Sequence, residues 1–403
     1  MTFNLLLKNN FNNFSPRKKK LKSLNKSFEK VFQNLKKEIN DSKKTINILS
    51  ENFLNLNLLN LRKFKKFKTV AVIGMGGSIL GAEAISSFLA KKIKKKIYYF
   101  DDIDENKIFQ FRYKENLKKT LFIIISKSGN TIETITNAFS LNILKKNAKN
   151  VIIITERKNN LLFNLSRKLK LFFVEHNQNI GGRYSVLSEV GIIPAYLMGI
   201  NIAKLRSNLQ IFFNKNNKSL LKSSTTVLSN FLVTKKYSNL IFLNYSPNLE
   251  KFLYWCQQLI AESLGKNKKG FLPVISNVPK DHHSLLQLYL DGPNDKMFYI
   301  FSSKEASKLK IDYKSYFNKN NFSHKKTLGQ VKIAQKNALI KSLKKKKIPY
   351  REIEIKKIDE ENLSKLFTYF ILETIIIGKL SKINPFNQPA VEQVKIYTKK
   401  LLK

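Results

Sequence analysis

Ser126-Lys127-Ser128-Gly129-Asn130-Thr131 follows the apolar block Leu121–Ile125 and precedes a helix-length segment. Hydroxyls, an ammonium and successive backbone amides at a helix start form a nest for a phosphate monoester. The bland alternative is a cap for the helix beginning near Thr131. A cap needs one hydroxyl, however, and this loop supplies three and a lysine. Ser126, Lys127, Ser128 and Thr131 are therefore expected to hold a phosphate, although the GxxxxGK[ST] spacing of a P-loop is absent. A second turn, Gly74-Met75-Gly76-Gly77-Ser78, follows Val70–Ile73. Glycine lets a ligand approach the backbone closely, and the helix start beyond it offers free N–H donors. A dinucleotide fingerprint would need glycine where Ile79 stands, and only Asp101 and Asp102 come near the ribose position. A sugar or phosphate site is favoured over NAD, with a tight structural turn as the alternative.

Arg183 follows Gly181 and Gly182, which let its guanidinium reach inward. A fixed cation there can stabilise a developing enediolate; a surface ion pair is the ordinary alternative. Glu262 falls at the edge of an apolar helical stripe containing Phe252, Cys256 and Leu259, where partial desolvation would strengthen it as a base. From the residues alone, an exposed, ion-paired glutamate is the more common outcome. His282 and His283 are adjacent and cannot share one helical face; with only His176 and His324 besides, no HExxH pattern exists. The single cysteine, Cys256, excludes an internal disulfide and a cysteine-cluster zinc site. No metal and no organic cofactor are expected.

These residues need a frame. Short β-branched blocks occur at 69–73, 97–100, 121–125, 151–155 and 171–174, alternating with helix-length segments such as 79–91, 131–147 and 158–169. A second alternation has strand candidates at 240–243, 271–275, 297–301 and 351–355, and helix candidates at 249–264, 281–290, 325–344 and 359–379. Blocks apolar on both faces, separated by helices, specify parallel sheets covered on both sides. The organisation expected is an N-terminal helical segment (1–65), a first α/β domain (66–203), a Lys- and Asn-rich linker (204–224), a second α/β domain (225–382) and a C-terminal helical tail (383–403).

The 403 residues carry 74 Lys+Arg against 28 Asp+Glu, a formal charge of +46. The lysines are spread along the chain and accompanied by equal enrichment in Asn, Ile and Phe, which reads as compositional bias rather than a nucleic-acid footprint. No zinc-finger or RNP-like motif accompanies them. A basic field would also draw in a phosphorylated metabolite. No apolar run is long enough to span a membrane, and the first residues lack the order of a secretory signal, so a cytoplasmic location is expected.

In order and approximate spacing, IGMGGSILG (73–81), ISKSGNTIET (125–134), GGRYSVLSEVG (181–191), QQLIAESLGK (257–266), DHHSLLQ (281–287) and FNQPAVEQVK (386–395) resemble the glucose-6-phosphate isomerase family, built from two sugar-isomerase (SIS) domains. The resemblance covers roughly residues 65–403. It implies two doubly wound parallel-sheet, SIS-type domains with flanking N- and C-terminal helices. It also implies an aldose–ketose isomerase of glycolysis and gluconeogenesis that interconverts glucose 6-phosphate and fructose 6-phosphate through a cis-enediol. In that scheme Glu262 shuttles the proton and Arg183 stabilises the intermediate. His283, reached from the neighbouring subunit of a homodimer, and Lys395 assist ring opening. Gly77, Ser78 and Gly182 line the sugar, and Gln388 helps hold the phosphate. The last motif departs from the usual FDQxGVExxK at Asn387 and Ala390, and the histidine that many relatives carry near Leu290 is missing. Isomerisation of another phosphosugar, such as mannose 6-phosphate, and non-catalytic phosphosugar sensing are the alternatives. The full set of Glu262, Arg183, His283 and Lys395 argues against sensing alone. A main role in binding nucleic acid is the third alternative, and none is expected.

Overall fold

The computed structural model describes residues 5–11, 14–54, 57–304, 307–312 and 323–402. Two five-stranded sheets organise them. The first contains β2 (Thr69–Ile73), β3 (Lys96–Phe100), β4 (Thr120–Ile125), β5 (Val151–Thr155) and β6 (Phe172–Glu175), numbered after an N-terminal strand β1 (Leu5–Asn9) that belongs to the other sheet. Its order is β3-β2-β4-β5-β6, with every neighbouring pair parallel. Strands β2, β4 and β5 are buried throughout, as continuous runs such as Leu121–Ile125 require when helices cover both faces. The covering helices are α2 (Leu80–Phe88), α3 (Glu105–Lys114), α4 (Ile132–Ser140), α5 (Leu161–Lys168) and α6 (Glu189–Met198), numbered after α1 (Lys18–Glu38).

The second sheet contains β7 (Asn239–Asn244), β8 (Leu272–Asn277), β9 (Lys296–Ser303) and β10 (Tyr350–Ile355). Its order is β1-β10-β9-β7-β8, parallel except for β1. The sequence β8-β7-β9-β10 repeats the path of β3-β2-β4-β5, so the two halves share one winding. Beside it run α9 (Glu250–Leu264), α10 (Leu286–Asp291), α11 (Leu328–Lys345) and α12 (Glu360–Leu380), which follow the short α7 (Ile202–Leu205) and the long α8 (Lys215–Thr234). Helix α13 (Glu392–Leu401) closes the chain, with no buried residue.

Two expectations change. Leu5–Asn9, expected to be helical, is a strand that pairs antiparallel with β10, Leu5 opposite Ile355 and Asn9 opposite Arg351. A pairing with an edge so distant in sequence has no local signature. Its anchor is Arg351, fully buried, which donates to both Glu373 oxygens on α12 (2.8 and 3.0 Å) and through Nε to Asn9 Oδ1 (2.7 Å). The stretch 204–224, expected to be a linker, is packed: Leu205, Phe212 and Leu221 are fully buried in the shared core. Apolar side chains from α7, the turn Ile211–Phe213 and α8 converge on the core there, overriding the Lys- and Asn-rich composition. In the described residues, no helix is long and apolar enough to cross a membrane.

Candidate functional site

In each doubly wound sheet, loops leave the carboxyl ends of the two central strands in opposite directions and open a crevice between them. In the first sheet these strands are β2 and β4, and their loops are the two glycine- and hydroxyl-bearing segments. The β2 loop packs backbone against backbone with the segment carrying Arg183: a Cβ on Gly77 would lie 2.2 Å from the Gly182 carbonyl carbon. Ser185 Oγ donates to the Gly182 and Gly77 carbonyls (2.7 and 3.3 Å), stitching the two turns together.

The β4 loop is held from within. Ser126 Oγ lies 2.7 Å from Thr131 Oγ1 and accepts the Gly129 N–H at 3.1 Å, so this buried hydroxyl shapes the loop from behind the cavity. Gly129 has φ +66°, and a Cβ there would meet Asn160 Oδ1 at 1.8 Å. Ser128 and Thr131 face the cavity. No side chain caps α4, which leaves its first-turn N–H groups to an anionic ligand. Lys127 also lines the cavity, but its ammonium donates to the carbonyls of Gln178 (2.8 Å) and Ile180 (2.9 Å). Glu156 Oε1 lies 3.7 Å from it, and Glu156 is ion-paired with Lys158. Burial, reinforced by the Lys158 charge, lowers the Lys127 pKa.

Arg183, buried, occupies the centre. Its Nε donates to Ser263 Oγ (2.8 Å), its Nη2 to the Pro385 carbonyl (2.7 Å), and its Nη1 both to Glu262 Oε2 (3.2 Å) and to Gln388 Oε1 (2.5 Å). Helix α9 presents Glu262, and one turn earlier Gln258 donates Nε2 to Glu262 Oε1 at 2.9 Å. The carboxylate is thus oriented through both oxygens, while its side chain keeps 29% exposure on the cavity side. Lys395, on α13, also lines the cavity and is paired with Glu392 at 2.8 Å. Just past the end of α9, Lys266 donates to the carbonyls of Ser263 and Asn384; burial and the Arg183 charge push its pKa down to about 8.

The cavity measures about 340 Å³. Larger ones exist elsewhere, but this one gathers the chemistry. It brings together Gly77, Ser78, Lys127, Ser128, Thr131, Gly182, Arg183, Glu262, Gln388 and Lys395. Two predicted residues stand apart: Ser126 lies behind the loop, and His283 is exposed on the turn Lys280–His283, outside the cavity-lining set. Its neighbour His282 meets Tyr245 OH at 3.0 Å. Gln388, expected beside the phosphate, lines the cavity with Ser128 and Thr131 and accepts a hydrogen bond from Arg183. Met75, Glu156, Lys158 and Gln258 line the cavity without having been singled out. Gln258 could have been found from its i−4 spacing to Glu262, and Glu156 and Lys158 from their place just past β5. In the described residues, no group of three or more His, Cys, Asp or Glu could hold a metal.

A family model of phosphoglucose isomerase matches residues 32–403. The "Probable glucose-6-phosphate isomerase" of Methanococcus maripaludis is 34% identical, over 96% of this chain and 90% of the relative. The glucose-6-phosphate isomerase of Methanocaldococcus jannaschii is 32% identical, over 85% and 87%. Among solved structures, a hypothetical protein from Thermus thermophilus superposes with a TM-score of 0.85, covering 99% of both chains at 24% identity. A glucose-6-phosphate isomerase from Chlamydia trachomatis gives 0.70, over 85% of this chain and 72% of that one, at 19% identity. Those two likenesses establish the shared fold. With the family model spanning nearly the whole chain and relatives above 30% identity over most of it, the chain belongs to the phosphoglucose isomerase family.

Proposed function

We propose that the chain interconverts glucose 6-phosphate and fructose 6-phosphate by proton transfer through a cis-enediol. The observation that carries this reading is the clamped pair Glu262–Arg183 at 3.2 Å, opening onto the cavity that Ser128 and Thr131 also line. The phosphate sits on the α4 start and its hydroxyls, and the sugar extends over Gly77, Ser78 and Gly182. Lys395 assists ring opening. In the open chain, Glu262 removes the proton from C2 and returns it to C1, and the reverse reaction runs the same path. The guanidinium stabilises the negative charge that develops on the enediol oxygens, already desolvated and oriented before substrate arrives.

His283 lies outside its own chain's cavity, which supports a homodimer in which each subunit lends this histidine to the other. The reaction belongs to cytoplasmic glycolysis and gluconeogenesis. A coupled assay with fructose 6-phosphate and mannose 6-phosphate side by side tests the assignment. Turnover of the first with little of the second is expected. Preference for mannose 6-phosphate would move the activity to another phosphosugar, and turnover of neither would leave phosphosugar sensing.

A further inference from the structure

The opposite edge of the first sheet carries a basic groove that plays no part in the proposed chemistry. Two cavities, of about 830 and 770 Å³, lie at the amino ends of its strands and share Lys66 and Lys149. Lys63, Lys66 and Lys68 precede β2, Lys118 and Lys119 precede β4, Lys149 precedes β5, and Lys170 precedes β6; all are exposed. Four separate chain segments thus bring their lysines to one edge.

Composition alone does not account for this. Of the nine exposed residues lining the two cavities, seven are lysine, two are asparagine and none is acidic. The one lining carboxylate, Glu115, is already engaged by Thr69 (3.1 Å), Lys96 (3.0 Å) and Tyr98 (2.8 Å). The groove therefore presents uncompensated positive charge along a line crossing β2, β4, β5 and β6, roughly 15 Å at the usual strand spacing.

Its aromatic rings are not open to bases. Phe64 and Phe67 are buried, and the Lys63 ammonium stands 4.6 Å over the Phe172 ring and 5.3 Å over Phe64. Single-stranded nucleic acid binds by stacking bases on exposed rings as well as by charge. Without such platforms, the chemistry that fits is a linear anion whose every repeat is a phosphate. We infer that this groove binds inorganic polyphosphate, on the edge of the sheet opposite the isomerase cavity.

The test uses the full chain, fluorescently labelled polyphosphate and fluorescence anisotropy. With about five phosphate contacts and the single-strand coefficient, affinity should fall on the order of 100-fold between 50 and 200 mM salt. The double reversal Lys66→Glu/Lys149→Glu, which touches both cavities, should weaken binding at least tenfold more than Lys341→Glu/Lys344→Glu, an equal charge change on the exposed face of α11. Isomerase turnover should be the same in all three proteins, which shows the fold intact and keeps this result separate from the activity assay. Equal weakening by the two double variants would overturn the site, leaving net charge as the cause. Tighter binding of a single-stranded RNA of matched charge would overturn the ligand.

Discussion

Lys127 stands at the seam between the Ser126–Thr131 loop, proposed to hold the phosphate, and the segment leading to Arg183. Its backbone carbonyl receives the Glu156 N–H, while its ammonium holds Gln178 and Ile180, immediately before Gly181-Gly182-Arg183. A lysine that only gripped phosphate would affect KM alone. Removing this one also releases two charge-assisted bonds, each worth about 1.5–3 kcal/mol, that position the arginine. Lys127→Met is therefore expected to lower kcat about tenfold as well as raise KM; steady-state kinetics showing a pure KM effect would assign the ammonium to phosphate alone. Behind this seam, His176 is buried, and desolvation together with the Lys127 charge depresses its pKa to about 4. Glu189, 3.6 Å away, is pushed the other way by its own desolvation. Because the folded His176 binds a proton less readily than the unfolded one, its contribution is present above pH 6.5 and lost as pH falls through 4, about 3 kcal/mol in all. Proton NMR should show the His176 ring, identified by the signal absent in His176→Gln, not titrating between pH 5 and 8; a His176 titration near 6.5 would refute the burial argument. The chemistry at this scale was legible because glycine, hydroxyl and charge cluster in short motifs. What Lys127 and Gln388 touch was not, since that depends on where distant loops come to rest.

The strands and helices of both sheets announced themselves wherever burial on both faces forced unbroken apolar blocks, as in Val70–Ile73 and Val151–Ile154. Strand β1 gave no such signal: Leu5-Leu6-Leu7 is short, and its partner lies at the other end of the chain. It is fixed by Arg351, whose guanidinium is already satisfied by Glu373 and takes Asn9 as its third contact. Asn9→Ala removes one hydrogen bond to a buried cation, about 1.5–3 kcal/mol. The β1 amides should then exchange with deuterium faster than in the parent, while those of β7 and β9 keep their protection. Unchanged β1 exchange would show that the backbone ladder alone holds the strand.

Across the whole molecule, the cavity lies at the meeting of both halves: the first sheet supplies the glycine- and hydroxyl-bearing loops, α9 the proposed base Glu262, and α13 Lys395. His283, proposed to assist ring opening, lies outside it. If it comes from a second copy, the inactive variants Glu262→Gln and His283→Ala should rescue one another when co-refolded. Mixed dimers carry one complete site of two, so about a quarter of parental activity should return in an equal mixture. No recovery would place ring opening within one chain. The central claim, that Glu262 moves a proton between C2 and C1, is tested most directly by turnover in deuterium oxide, with label at C2 of glucose 6-phosphate followed by NMR. The parent chain should introduce deuterium at C2 as it forms glucose 6-phosphate from fructose 6-phosphate. Glu262→Gln should slow that exchange by about 10²–10⁴, with KM little changed, because the amide keeps the shape without the basicity. Exchange at the parental rate in Glu262→Gln would contradict the assignment and make another residue the base.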